Sequence, residues 1–335
     1  MVNGGWRLVL PARFPLSTIP QSRFAFRRMG IVDFILNLAG LLLWLNWRSL
    51  RLDPLGKRKP ATLIGTLRRA GPQHLRHWHL LAVIGLLLLV RAVFYWQIGL
   101  VSKPVWAGTL DLGIIAPSFL SNSFGRMCLY SVFSFGLMLV VIYLWLWLLS
   151  ILAGPEPMHG LVRMQLGAAD RWPRRIKLFL PLLATALLWW LASWALEWCA
   201  IIPRPASTAH RIEQSLLIGL GSYLVWKFLI AALLVLHLLN SFIYFGKHPF
   251  WNYINATAQT LLQPVRGAVS ALVRAGASML PGRSRGQANK VNFSPAWKLA
   301  RTLLLDVAGI ALVFLLAGLA ERGLISVYGR LPFGK

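Results

Sequence analysis

The chain reads as an all-α, polytopic membrane helical bundle, with five or six transmembrane helices and interfacial amphipathic helices in its cytoplasmic loops. Three observations lead there. Of 335 residues, 57% are hydrophobic and 13% charged, against about a quarter charged in soluble proteins; the mean hydropathy is +0.62. Several uninterrupted apolar runs reach the roughly 20 residues that a bilayer requires. Basic residues also alternate between successive loops, as a topology signal does.

Six runs qualify as spans: roughly 31–47, 80–100, 127–152, 178–201, 216–245 and 302–325. Trp44 and Trp47, Trp78 and Trp96, and the tryptophans from Trp189 to Trp198 mark their edges, where an amphipathic ring favours the headgroup zone. Lys and Arg number eight in the first connection (48–79), five in the third (153–177) and eight in the fifth (246–301). The second holds two, Lys103 and Arg126, and the fourth two, Arg204 and Arg211. The odd loops are therefore expected in the cytoplasm, in a multi-pass protein of the inner (plasma) membrane.

Residues 1–30 oppose that rule, because they carry five arginines on what should be the outside. Either the first span, which holds Asp33, Asn37 and Asn46, lies in the interface, or translation begins at Met29 and 1–28 are not part of the protein. Prolines and arginines interrupt any apolar core that a cleavable signal peptide would need. Beyond this extension the chain divides into N-terminal spans with a basic loop (31–126), two related units (127–201 and 212–325) and a tail (326–335).

The net charge is +26, from 35 Lys and Arg against 9 Asp and Glu. Its placement beside apolar spans points to anionic lipid headgroups at the cytoplasmic face, and no recognition fold for nucleic acid is present. Cys128 and Cys199 are too few and too isolated for a disulfide framework or a thiolate metal site. His74, His77 and His79 do not share one helix face and have no acidic neighbour, so they read as interfacial. No metal, cofactor or catalytic group is expected: there is no Walker loop, zinc helix motif or Ser-His-Asp set.

An internal repeat is visible. The third loop contains GPEPMHGLVRMQLGAADRWPRRI and the fifth GKHPFWNYINATAQTLLQPVRGA. Pro157-Met158 and Pro249-Phe250 each precede a helical-looking stretch, and Pro173-Arg174-Arg175 and Pro264-Val265-Arg266 close it. The spans before them end in LWLLSI and HLLNSF, which align Ser150 with Ser241. Equal spacing implies a duplicated helix–loop–helix unit in parallel orientation.

At these residues the chain resembles the YggT (YlmG) family of small membrane proteins. Ser241-Phe242 fall at the family's Ser-Trp, His248-Pro249-Phe250 at its Asn-Pro-Phe, and Pro264-Val265-Arg266 at its basic helix end. Asn292-Phe293-Ser294-Pro295 fall at its Asp-Leu-Ser-Pro turn, while His237 replaces the family arginine. In the first unit Ser150, Pro157, Pro173 and Arg175 match and the Ser-Pro turn is missing; a third echo is RAVFYW, which keeps the arginine as Arg91. The resemblance covers about 230–325 well, 140–200 weakly, and nothing before 80. A basic Gly/Ser-rich insert, 275–290, interrupts the second unit. The resemblance implies a non-enzymatic role in membrane organisation or complex assembly, with a membrane-protein partner or self-association.

From Pro249 to Pro264, Phe250, Tyr253, Ile254 and Leu261 share one helix face, and Pro264 is expected to end or kink the helix. Such a helix suits the interface rather than a crossing, where it would dock lipid, bind a partner or cover the bundle's end. Ionisable groups inside spans are costly and therefore candidates: Arg91, Glu197, Lys227, His237 and Asp306. Depth pairs His237 with Asp306 and Lys227 with Glu197. Such groups could serve a channel or transporter, the competing function class, or simply pair between packed helices. No Gly or Pro break of the kind many transporters carry is expected in the spans.

Overall fold

A backbone in hydrocarbon must satisfy its own N–H and C=O groups, and a single open chain does so by forming helices. The computed structural model describes residues 22–52, 77–101, 106–152, 159–243, 249–278 and 295–331, and is a helical bundle. Helix α1 is Ser22–Leu52, α2 His77–Val101, α3 Phe124–Leu152 and α4 His159–Leu166. There follow a 3-10 turn, Gly167–Arg171, then α5, Arg174–Trp198, and α6, Thr208–Gly221. A second 3-10 turn, Ser222–Val225, leads to α7, Trp226–Phe242, then α8, Pro249–Ser278, and α9, Pro295–Tyr328. Among the described residues, five segments are long and apolar enough to cross a membrane: Trp78–Gly99, Phe124–Leu152, Arg174–Trp198, Thr208–Phe242 and Leu303–Tyr328.

Between α2 and α3 the chain forms a small antiparallel hairpin, β1 (Ala107–Thr109) with β2 (Ser118–Leu120), pairing Gly108 with Phe119. Three-residue strands are too short to show alternation in a sequence, so the reading of this loop as plain connection missed them. Phe119 is fully buried and joins Tyr95, Met127, Tyr130, Leu196 and Ile218 in the largest apolar core. The hairpin thus closes one end of the bundle; α4 and the start of α8 occupy the other.

Helix α1 runs beside α2 and α3. Its Asp33 meets Arg91, its Trp44 donates to the Tyr143 hydroxyl, and its Arg48 donates to the Gln165 carbonyl. From Asp33 to Arg48 that is about 22 Å of helix rise, so α1 does not lie flat across the ends of its neighbours. It starts at Ser22 and passes through Met29 unbroken, with its first turns toward the hairpin end. Residues 1–21 lie outside the described residues.

The fifth span is one continuous helical segment, Thr208–Phe242, that tightens to a 3-10 turn at Ser222–Val225, directly after Gly219 and Gly221. A close approach to α5 precedes the turn: a Cβ on Gly219 would lie 2.7 Å from the Leu182 carbonyl oxygen. At the turn α3 is also near, and Trp145 donates its indole N–H to the Val225 carbonyl at 3.2 Å. Reciprocally, Trp226 donates to the Leu144 carbonyl at 3.1 Å.

Pro264 does not end its helix; α8 continues through it to Ser278. The carbonyl a helix-interior proline leaves without a donor is four residues back, here that of Thr260, itself an exposed residue. The buried face is also shifted from the expected one. Tyr253, Ile254, Thr257, Ala258 and Leu262 are buried, whereas Phe250 is exposed and Leu261 half-buried. Leu234 of α7 joins Ala258 and Leu262 in one core, with Ile310 of α9 against it, so α8 packs on both α7 and α9, which also pack directly on each other. Residues 279–290 of the basic insert lie outside the described residues, while 275–278 still belong to α8.

Overpacking of a close helix contact costs about 1–3 kcal/mol. Gly219→Ala should therefore lower the midpoint of thermal unfolding in detergent. Gly136→Ala, whose Cβ meets nothing within 4 Å, should leave it unchanged or raise it.

Candidate functional site

Arg91 lies in the middle of α2, where an apolar helix would otherwise forbid a charge, and only 1% of it is exposed. A guanidinium so buried needs its donors filled. Its Nε donates to the Tyr95 hydroxyl at 3.0 Å, Nη1 to Asn37 Oδ1 at 2.8 Å and Nη2 to Ser134 Oγ at 2.8 Å. Nη2 also lies 2.6 Å from Asp33 Oδ1. The Tyr95 hydroxyl in turn donates to Asp33, and Asn37 Nδ2 donates to its other oxygen. Tyr95 stacks on Trp106 and meets Tyr130 edge-on. The result is one closed network joining α1, α2 and α3, in which Asp33 neutralises Arg91.

A second cluster forms at the α4 end. Ser150, closing α3, donates to Asp170 Oδ1 at 2.6 Å and accepts from Lys177 Nζ at 2.7 Å. Arg163 of α4 donates to Asp170 Oδ2 at 3.2 Å. Pro173 caps α5 and sets the turn that brings Lys177 back onto Asp170. Tyr253 of α8 feels the same carboxylate: burial, and then the negative charge of Asp170, push its phenol up to about 12. Its hydroxyl has no hydrogen-bond partner.

Neither pairing expected from depth forms. Glu197 pairs with Arg211 of α6, which also lies over the Trp194 ring at 4.1 Å. Lys227 pairs with Glu321 of α9 at 2.9 Å. His237 hydrogen-bonds Asn255 of α8 through Nδ1 at 2.9 Å, and its Nε2 is buried without a partner. No hydrogen bond or ion pair joins His237 to Asp306 among the described residues; Asp306 is fully buried in α9 and has interactions of its own. The physical reason is that α8 also packs on α7 and presents Asn255 to the His237 ring.

The motif residues are dispersed. Ser241 donates to the His237 carbonyl of its own helix, and Phe242 ends α7 exposed. Pro249 begins α8 and Phe250 meets Trp251 edge-on at 5.3 Å. Pro264 and the backbone of Arg266 are inside α8, and Pro295 opens α9. Pro173 and Arg175 are exposed at the start of α5. Pro157, Ser294, His74 and the side chains of Arg266, Pro295 and His77 lie outside the described residues. Asp170, Lys177, Glu321 and Gln165 escaped the sequence reading; an inventory of every charge in the spans, taken against all possible partners, would have raised Glu321.

Between these clusters lies a cavity of about 980 Å³. Residues of α3, α5 and the Ser222–Phe228 segment form its walls, and α1 and α4 contribute Trp44, Arg48 and Gln165 at one end. Among the described residues no group of three His, Cys, Asp or Glu side chains gathers to hold a metal.

Fold and polar sites together define an all-α polytopic membrane protein whose span charges are neutralised mainly between helices. No family model, no curated protein and no solved structure matches the chain. The likeness to YggT proteins therefore rests on the motif residues alone.

Breaking one side of a buried ion pair costs about 3–5 kcal/mol, whereas apolar replacement of both sides is often neutral. Arg91→Leu should thus destabilise the bundle strongly in a detergent unfolding assay, and Arg91→Leu combined with Asp33→Leu should recover most of the loss. Tyr253→Phe removes a buried hydroxyl without a partner and should gain about 1 kcal/mol. Because the Tyr253 phenol is raised from 10.0 to about 12, its neutral form favours folding. That contribution is complete below about pH 10 and is lost as the pH rises through about 12; comparing the two proteins' unfolding midpoints across this range checks it.

Proposed function

We propose that this protein is a non-enzymatic organiser or assembly factor of a membrane complex, as its YggT-like motifs imply, working in the plasma membrane with its basic loops in the cytoplasm. The carrying observation is charge neutralisation. Arg91 with Asp33, Lys227 with Glu321, Arg211 with Glu197 and Lys177 with Asp170 each join different structural elements. Such pairs pin helices to one another and suit a rigid body that presents surfaces, rather than a path along which charges exchange partners. The surface on offer is large and apolar, with Phe179, Leu183, Leu187 and Trp194 exposed along α5. Anionic headgroups are the natural partners of its Lys- and Arg-rich loops, and a membrane protein or a second copy is the partner of the apolar face.

One observation favours transport as a second reading. The Thr208–Phe242 segment tightens to a 3-10 turn at Ser222–Val225, beside the Lys227–Glu321 pair, and a 3-10 stretch within a helix often marks a functional hinge.

Crosslinking in native membranes followed by purification tests the first reading. A stoichiometric protein partner, or a defined homo-oligomer, is expected; a monomer without any recurrent partner would sink it. In liposomes, ion or solute flux that Lys227→Met or Glu321→Gln abolishes would establish the second reading instead.

A further inference from the structure

The cavity has one chemically distinct end. Along its length the walls are mainly apolar, with Phe133, Val140, Leu144, Leu180 and Leu188, and Trp189 adds one buried indole N–H without a partner. At the far end Asp111 is already engaged by the Gly113 N–H, and at the side Lys227 is neutralised by Glu321. The near end is different. Gln165 is 5% exposed, yet both its Oε1 and its Nε2 lack a hydrogen-bond partner. Beside it Arg48 Nε is buried and unpartnered, and the guanidinium makes only a long bond, 3.4 Å, to the Gln165 carbonyl. No carboxylate among the described residues pairs with Arg48.

A buried carboxamide and a guanidinium without a counter-charge are both costly. A phosphate relieves both at once, accepting from the guanidinium fork and from the amide N–H. The cavity opens to the surroundings between its helices, and apolar walls do not hold water. In a bilayer the surrounding solvent is lipid. From Val132 to Trp147 the α3 wall rises about 22 Å, a length that suits acyl chains lying along the helix.

We propose that this cavity is a binding site for one anionic membrane phospholipid, its phosphate at Arg48 and Gln165 and its acyl chains between α3, α5 and α7. The site is independent of the assembly reading above, since it concerns an internal ligand rather than a surface partner. Gly136 offers a means of closing it: it lines the cavity, and a Cβ there meets nothing within 4 Å.

The test uses the full chain, purified in mild detergent and stripped of lipid, with phosphatidylglycerol and phosphatidylcholine as probes in native mass spectrometry and thermal-shift titration. Phosphatidylglycerol is expected to bind one to one and to raise the unfolding midpoint, with phosphatidylcholine at least tenfold weaker. Gly136→Phe, which fills the cavity, and Arg48→Leu, which removes the charge, should each weaken phosphatidylglycerol at least tenfold. Gel filtration and circular dichroism check that each variant is folded, and Gly136→Phe decides the matter if Arg48→Leu is not. Equal binding of both lipids, or undiminished binding to folded Gly136→Phe, would overturn the proposal by assigning the lipid to the outer surface. An equal shift with inorganic phosphate would overturn it too, since the acyl chains would then contribute nothing.

Discussion

A guanidinium placed in the middle of an apolar helix must find a negative charge and several acceptors before the bundle can close around it. Arg91 finds them on three helices, and that requirement sets the position of α1. Asp33 and Asn37 are the polar ties that fix α1 against α2. The same network orients Tyr95, which stacks on Trp106 and meets Tyr130, so the aromatic core beneath the hairpin follows from it. One charge thereby couples the first helix, the hairpin and the main core.

The rest of the bundle shows two further ways of accommodating polar groups in an apolar setting. At Ser222–Val225 the helix tightens to a 3-10 turn, and Trp145 and Trp226 exchange indole N–H bonds between α3 and this segment. At the α4 end, Ser150, Asp170 and Lys177 satisfy one another while joining the end of α3 to the start of α5. Against these filled sites, Gln165 and Arg48 stand out as polar groups with capacity to spare, both turned to the same cavity. The contrast is what gives the cavity a chemical direction.

The paired prolines of the two loops illustrate how far pattern reading goes. The repeat led to helical segments in both loops, and helices are found there: α4 with its 3-10 turn in one, α8 in the other. The repeat did not convey that α8 would pack on both α7 and α9, because a stripe of apolar residues tells which face is buried but not against what. Hence the expected face was displaced, and of the two outcomes expected at Pro264 the helix end is not the one found. Charge pairing failed in the same way. Depth along a span limits which charges can meet; which helices are neighbours chooses among them, and Glu197, Lys227 and His237 each chose a residue on a helix other than the one expected.

Composition, run length and loop charge were sufficient to set the class of the protein, because the energetics of burying backbone and side chains in a bilayer depend on local sequence alone. Arg91 was conspicuous on the same ground. Helix adjacency is different, since it is a property of the whole packed chain: the Asp33 network, the tryptophan bonds between α3 and α7, the seat of α8 and the cavity ending at Arg48 and Gln165 arise from residues far apart in sequence. Only close packing in three dimensions brings those residues together, and no local periodicity records it.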